Sequence, residues 1–410
     1  MSNTTSDFRF SSIVLPAITP ALLFAIGEGA IIPIIPVVAH NLGAPLAVAG
    51  LIAAMLLVGQ LFGDIPSGWT VAKLGERNAM ILAALVSVVG LLAALFAPNP
   101  LVLGIGIFAI GVSTAVFALG RQAFMATFVP LHFRARALST LGGTFRLGYF
   151  VGPLISALII HLTGSVQVVF LVHIVGCVGA AIVLFVLKDP SDIIAAKRMA
   201  VIEAKEPSPI GLWRTIWNRR DVLLRLGTGA ALIGAMRSSR QVILPLWAVS
   251  IHVPEAETAL IIGIAGAIDF GLFYTSGQIM DRFGRLWSAL PAMLGLSAGF
   301  LVLAFTHDVP GAVIWFICTA FFMSVANGVG SGILMTLGAD LAEPRNPAPF
   351  LGAWRFTGDL GGAGAPLALS ALTAVISIAF ASAFLGVLGI VGAAILLRYV
   401  PRYSTGVRRK

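Results

Sequence analysis

The sequence predicts an all-α membrane protein with twelve transmembrane helices in two pseudo-symmetric six-helix bundles and both termini cytoplasmic. Composition, the number of apolar stretches and the placement of cations support this fold. Of the 410 residues, 58% are hydrophobic and 10% are charged, and mean hydropathy is +1.00. A soluble domain is about 25% charged, so the composition excludes a conventional soluble enzyme and a disordered chain.

Twelve apolar stretches are long enough to cross a bilayer, which takes about 20 helical residues. The first is interpreted as a retained helix, because it is long and no small-residue cleavage site follows a short apolar core. The approximate spans are 14–38, 46–72, 78–97, 101–129, 139–162, 166–187, 222–247, 258–280, 286–306, 310–338, 350–376 and 379–399.

The cations predict the orientation. With both termini inside, the cytoplasmic loops and tails hold twenty of the 26 Lys and Arg residues, and the external loops hold none. This imbalance follows the positive-inside rule. It predicts a multi-pass protein of the inner or plasma membrane, and it explains the net charge of +9 without a nucleic-acid partner.

The hydrophilic stretch 188–221 divides the chain. We expect an N-terminal bundle over 1–187, a cytoplasmic linker over 188–221, and a C-terminal bundle with a basic tail over 222–410. Within the linker, Trp213 and Trp217 flank Arg214. This segment is read either as an interfacial helix or as an aromatic belt entering the seventh span.

Two short segments repeat at matching places, after the second and eighth spans. Each has a glycine near a helix end and then a basic turn with a second glycine, which suits close packing and a left-handed turn. An ordinary hairpin has similar needs, but two copies at equivalent positions favour a shared role. The residues are Gly68, Lys73, Gly75 and Arg77 in the first copy, and Gly277, Asp281, Arg282, Gly284 and Arg285 in the second.

The second copy fits the pattern G-x-x-x-D-R-x-G-R, and in this the sequence resembles the major facilitator superfamily of secondary transporters. The resemblance implies that both loops act as a conformational latch between the two bundles. The first copy departs from the pattern at Ala72 and Glu76.

A second resemblance lies in the fifth span, where Gly143, Gly148, Gly152 and Pro153 are similar to a motif of the drug/proton antiporter branch. Glycines let two helices touch, and proline bends a helix. Ordinary packing between membrane helices is the alternative interpretation.

Charged residues at bilayer depth are costly, so each is a functional candidate. Four acids are proton-coupling candidates, because a carboxyl in a partly dry cavity can load and release protons. Arg121 and Arg225 are interpreted either as interfacial residues that snorkel or as members of structural pairs. The ten charged residues within spans are Glu28, Asp64, Arg121, Arg146, Arg225, Arg237, Arg240, Asp269, Arg355 and Asp359.

Spacing suggests partners for several of these groups. Arg237 and Arg240 are three residues apart and share a helix face, with Asp269 as their expected partner. Arg355 and Asp359 are four apart and are expected to pair. Such pairs also serve simply to hold helices together.

The expected substrate cavity is apolar and aromatic, which suits an amphipathic organic molecule. Arginines outnumber acids six to four within the spans, which favours zwitterionic, anionic or neutral substrates. The predicted cavity residues are Arg146, Arg237, Arg240, Arg355, Tyr149, Tyr274, Trp354 and Asn327.

The leading functional hypothesis is a monomeric secondary transporter that works by alternating access and exports a small amphipathic compound in exchange for protons. The alternatives are a proton-coupled lipid or glycolipid translocase and an uptake permease of the same fold. No cofactor or metal is expected, since the proton gradient supplies the energy. An enzyme is disfavoured, because the six histidines lack metal-ligand spacing and no H-E-x-x-H or G-x-S-x-G motif occurs.

Overall fold

A computed structural model describes residues 18–128, 131–186, 217–342 and 348–403. All regular elements in these ranges are helical. Twelve helices are numbered in chain order: α1 Thr19–Asn41, α2 Leu46–Leu74, α3 Glu76–Leu95, α4 Pro100–Phe128, α5 Leu131–Thr163, α6 Gln167–Val186, α7 Thr228–Ser250, α8 Glu255–Phe283, α9 Leu286–Thr306, α10 Ala312–Leu341, α11 Ala348–Val375 and α12 Ile378–Tyr403. The prediction of twelve helices is confirmed.

Ten of the described helices are long and apolar enough to cross a membrane on these criteria alone. The exceptions are α7 and α11. Helix α7 carries Arg237 and Arg240, and α11 carries Arg355 and Asp359. The least apolar helices therefore hold many of the charges at bilayer depth. The predicted linker over 188–221 lies mostly outside the described residues.

Two helices are interrupted at identifiable residues, and a third is preceded by an irregular turn. A 3₁₀ turn over Ile32–Ile34, at Pro33, divides α1. A five-residue π turn, Leu223–Gly227, leads into α7. Helix α10 breaks between Val329 and Ile333. There Gly332 has a φ of +75°, a left-handed conformation that glycine adopts without steric cost.

The six helices before the linker form one half of the molecule, the N-half, and the remaining six form the C-half. The halves meet where α5 packs against α8 and where α2 packs against α11. Helix α7 also contacts α1 and α2. We call the membrane side at which α1 begins and α12 ends the termini side, and the other the opposite side.

Two glycines of the predicted α5 motif, Gly148 and Gly152, lie against α1. A Cβ added at Gly148 would sit 2.5 Å from the carbonyl carbon of Ala25, and one added at Gly152 would sit 2.5 Å from the nitrogen of Ala30. One turn further along α5, the Ser156 hydroxyl donates to the Ala30 carbonyl at 2.7 Å. The motif therefore brings two backbones into contact, as expected for glycines between membrane helices.

Candidate functional site

Glu28 is the centre of a buried polar cluster in the N-half. Its side chain lies midway along α1 and is only 1% exposed. Gln60 Nε2 donates to one carboxylate oxygen at 3.2 Å, and the Tyr149 hydroxyl donates to the other at 3.1 Å. The Thr114 hydroxyl lies nearby but donates to the Ile110 carbonyl, and Arg121 supplies the neighbouring positive charge. Helices α1, α2, α4 and α5 thus converge on one acid.

Of the two interpretations of Arg121, snorkelling to an interface is wrong, because the side chain is buried. It is 9% exposed, and its guanidinium carbon lies 3.2 Å from the centre of the Phe145 ring. The ring face and the Glu28 charge stabilise a cation that would otherwise be costly inside the protein. The sequence carries one signal for this pair, since the fourth span contains one arginine and the first span contains one acid.

A single buried acid with this environment suits proton transfer. A carboxylate withdrawn from water is destabilised unless donors and a cation offset its lost hydration. Glu28 has two neutral hydrogen-bond donors and one nearby guanidinium, so both its charged and its neutral form have partners. This is the chemistry required of a proton-carrying group.

Asp269 on α8 is the centre of a second cluster, which joins the two halves. One of its oxygens accepts from Arg146 of α5 at 2.7 Å, and the other accepts from Arg240 of α7 at 3.2 Å. Asn327 Nδ2 donates to that second oxygen as well. The structure therefore brings together four of the predicted site residues.

Arg237 differs from its predicted pairing. Its guanidinium donates to the carbonyl of Gly330, at the break in α10, whereas Arg240 alone of the two binds Asp269 directly. The broken helix exposes a carbonyl that a continuous helix would use internally, and this carbonyl takes the Arg237 donor.

A third charged cluster crosses between the halves at α2 and α11. Arg355 binds Asp359 at 3.3 Å, which confirms that predicted pair, and it also binds Asp64 of α2 at 3.4 Å. Its other terminal nitrogen donates to the Gln122 side chain of α4 at 3.1 Å. Two carboxylates therefore share one arginine.

This third cluster opens into a pocket between the halves. Its walls are mixed, with hydroxyl, amide and charged groups among small aliphatic side chains. Gln60 lines the pocket and also donates to Glu28, so the pocket and the buried acid share this side chain. The lining residues are Leu57, Gln60, Leu61, Asp64, Thr114, Ala115, Ala118, Ser238, Arg355, Asp359, Gly362 and Ala363.

Of the predicted cavity residues, only Arg355 lines this pocket, and two of the others lie away from all three clusters. Tyr274 is 79% exposed on the outer surface of α8, because five helical residues turn it about 140° from Asp269. Trp354 is 4% exposed, and its indole nitrogen donates to the Leu334 carbonyl at 2.8 Å, where it fixes α11 against α10. The expectation of an aromatic lining therefore does not describe this pocket.

The two repeated loops make contacts within their own halves. Arg77 donates to the carbonyls of Leu184 and Phe185 at 2.6 and 2.7 Å, so it fastens α3 to the end of α6. Lys73 lies 4.7 Å from the centre of the Trp69 ring.

In the second loop, Arg285 binds Asp340 at 2.9 Å and Asp281 at 3.4 Å. The hydrogen bond with Asp340 raises the pKa of Arg285 above its usual range. Gly75 and Gly284 adopt φ values of +79° and +98°, as a glycine turn requires. Gly68 and Gly277 have open space where a Cβ would stand, so close packing is not their role in this structure. Arg282 lies over Phe283. The latch between halves stays a prediction.

Comparison with known proteins finds relatives that move sugars or cyclic polyols. The galactose-proton symporter of Escherichia coli (strain K12) is 25% identical over 180 residues, which are 44% of this chain and 39% of that protein. Inositol transporter 4 of Arabidopsis thaliana is 27% identical over 137 residues, 33% of this chain and 23% of the relative. The matches thus span about two-fifths or less of these relatives' length, and none of these names supports the predicted drug/proton antiporter branch.

Solved structures share the fold along almost the whole chain. A partially occluded inward open conformation of the xylose transporter XylE from E. coli has a TM-score of 0.71 at 15% identity. The match covers 95% of this chain and 99% of the XylE chain. A POT family transporter in complex with a thioalcohol conjugated peptide has a TM-score of 0.78 at 13% identity, with 96% and 97% covered. The sequence model described as Major Facilitator Superfamily matches residues 21–366. The chain therefore belongs to the Major Facilitator Superfamily.

Proposed function

We propose that this transporter couples protons to the uptake of a small, hydrogen-bonding organic solute, with Glu28 as the proton-binding group. The observation that carries the proposal is the contact of Glu28 with Gln60, a side chain that also lines the pocket between the halves.

The shared side chain supplies a physical route for coupling. While Glu28 is charged, it accepts from Gln60 Nε2, which holds the Gln60 amide toward α1. A neutral Glu28 carries its own proton donor and no longer requires that amide. Gln60 is then free to present hydrogen-bonding groups to a solute in the pocket. By thermodynamic reciprocity, solute binding must change proton binding by the same factor.

The pocket walls favour a polar substrate over the amphipathic one that the sequence suggested. Gln60, Thr114 and Ser238 offer amide and hydroxyl groups beside the charged groups of Asp64 and Arg355. The names of the relatives favour uptake by symport over proton-driven export. We therefore place the uptake permease ahead of the exporter.

The termini side is proposed to be the cytoplasmic side. Of the described cations, Lys73, Arg77, Arg282 and Arg285 lie at loops on that side, in agreement with the positive-inside rule. On this orientation, a proton gradient directed from the opposite side toward the termini side drives uptake.

The decisive experiment measures accumulation in liposomes containing the purified protein. Radiolabelled galactose, xylose and myo-inositol serve as probes, with an imposed inward proton gradient. In Glu28→Gln, gradient-driven accumulation of the transported probe is expected to be lost, because the amide cannot exchange a proton. Counterflow exchange without a gradient should persist, since the amide resembles the protonated acid.

The matched control is Glu257→Gln, which removes an exposed carboxylate near the start of α8. It should accumulate the probe like the wild type. Wild-type levels of accumulation in Glu28→Gln would refute the assigned proton site. Proton-driven loss of preloaded probe would reverse the direction to export.

A further inference from the structure

The cluster around Asp269 holds more positive than negative charge. Arg146, Arg237 and Arg240 approach from α5 and α7, and each interacts electrostatically with Asp269. Arg237 and Arg240 also repel Arg146 and each other. Three guanidinium groups therefore surround one carboxylate at the junction of the two halves.

Two buried polar atoms of this cluster have no hydrogen-bond partner. They are Nε of Arg240, a donor, and Oδ1 of Asn327, an acceptor on a side chain that is 7% exposed. Both oxygens of Asp269 are already occupied by Arg146, Arg240 and Asn327. Asp269 has no free oxygen directed to the remaining donors.

This arrangement is unfavourable unless another anion joins it. A buried polar atom without a partner bears the full cost of its lost hydration, and the cost is larger when the group is charged. Like charges held together in a dry site add to this cost. A second carboxylate would supply acceptors for the guanidinium forks, which bind that planar group in a bidentate manner.

We propose that this cluster binds the carboxylate of the transported solute, so that the substrate is a small organic monocarboxylic acid with hydrogen-bonding groups. The proposal rests on the proposed function for the statement that the bound acid is transported. The Asn327 oxygen accepts from a hydroxyl or amine of the same solute.

The position of Arg146 links binding to movement of the halves. In the structure, Arg146 of α5 binds Asp269 of α8 at 2.7 Å. A bound carboxylate competes with Asp269 for that guanidinium, which weakens a bridge between α5 and α8. Cotransport of one proton with one monocarboxylate moves no net charge, whereas cotransport with a neutral sugar moves one.

The test is a binding measurement that needs no proton gradient. Purified protein in detergent is heated with matched pairs of compounds at constant ionic strength: galacturonate and galactose, lactate and lactamide, acetate and acetamide. At least one carboxylate is expected to raise the apparent Tm of the wild type above its neutral counterpart. The affinity derived from titration should fall roughly tenfold or more in Arg240→Gln, as loss of a charged hydrogen bond implies.

Two further variants keep the proposal testable if Arg240→Gln does not fold. Asp269→Asn removes the competing carboxylate, so carboxylate affinity is expected to rise, which a purely structural aspartate would not produce. Arg402→Gln, at the end of α12, removes a positive charge away from the cluster and should bind like the wild type.

The outcomes separate this proposal from the proposed function. If every carboxylate behaves like its neutral partner in the wild type, or if Asp269→Asn binds it more weakly, the anion site is refuted. Glu28-dependent transport of a neutral sugar can still stand in that case. If carboxylates bind at the cluster but Glu28→Gln retains proton-driven accumulation, the anion site stands and the proton assignment fails.

Discussion

Glu28 has two hydrogen-bond donors from different helices, and only one of them faces the pocket. Gln60 of α2 contacts the acid and also lines the pocket. Tyr149 of α5 contacts the acid but does not line the pocket. The two side chains therefore offer a matched pair of substitutions. Both remove one donor from the same carboxyl group, but only one removes the connection to the solute.

Gln60→Met is expected to weaken the dependence of solute affinity on pH. The methionine has a similar shape but makes no comparable hydrogen bond, so the state of Glu28 no longer affects the pocket wall. The measurement is solute binding by scintillation proximity at several pH values, with the transported probe from the liposome assay. In Tyr149→Phe the dependence should persist, and equal flattening in both variants would contradict the assigned route.

The sequence makes Glu28 a candidate because it is a charged residue at bilayer depth, and its small neighbours Gly27 and Gly29 suggest room around it. In the structure these glycines do not leave room around the acid. A Cβ added at Gly27 would meet His173 of α6, and one added at Gly29 would meet the Gly148 carbonyl of α5.

Arg121 was assigned to an interface because depth along one helix does not reveal which acid faces it. Tyr274 was misplaced for a related reason, since closeness in sequence to Asp269 does not fix the helix face.

At the scale of elements, the contact between α1 and α5 positions the proton site. Gly148 and Gly152 let the two backbones approach, and the same α5 segment carries Tyr149 toward Glu28. The glycine-proline pattern predicted close packing, but its partner helix followed only from the fold. For α7, the sequence predicted the span despite its polarity. It did not predict the break in α10, where the Gly330 carbonyl accepts from Arg237.

Gly152→Ala is expected to destabilise the protein by about 1–3 kcal/mol, because the added methyl group meets the backbone of α1. The measurement is thermal unfolding in detergent, combined with proton-driven accumulation. Gly271→Ala is the matched control, since an added Cβ there meets open space. A Gly152→Ala protein as stable and active as this control would show that α1 and α5 separate more readily than the structure indicates.

At the scale of the whole molecule, the two halves touch at the opposite side. The Ser370 hydroxyl of α11 donates to the Ala47 carbonyl of α2 at 2.5 Å. One turn along α2, a Cβ added at Gly50 would lie 3.8 Å from Ser370 Cβ. Such a distance between Cβ atoms is typical of a disulfide. If transport proceeds by the proposed alternating access, this contact must open.

The double variant Gly50→Cys with Ser370→Cys is expected to form a disulfide under mild oxidation and to lose transport until a reductant is added. Cys318→Ser supplies the background, because Cys318 is the exposed native thiol and Cys177 is buried. Transport before and after dithiothreitol is measured beside each single cysteine variant. Full cross-linking with undiminished transport would show that the halves separate elsewhere.

The polarity of α7 and α11 also affects how the protein is made. Each arginine near the centre of a helix disfavours membrane insertion by about 2.5–3.5 kcal/mol, and α7 carries two of them. A nascent α7 leaving the ribosome therefore has little tendency to enter the lipid unaided. Asp269 of α8 binds Arg240, and Asn327 of α10 binds Asp269. Both residues are synthesised only after α7. Stable insertion of α7 must wait for these later helices, so biogenesis of the C-half is a cooperative step.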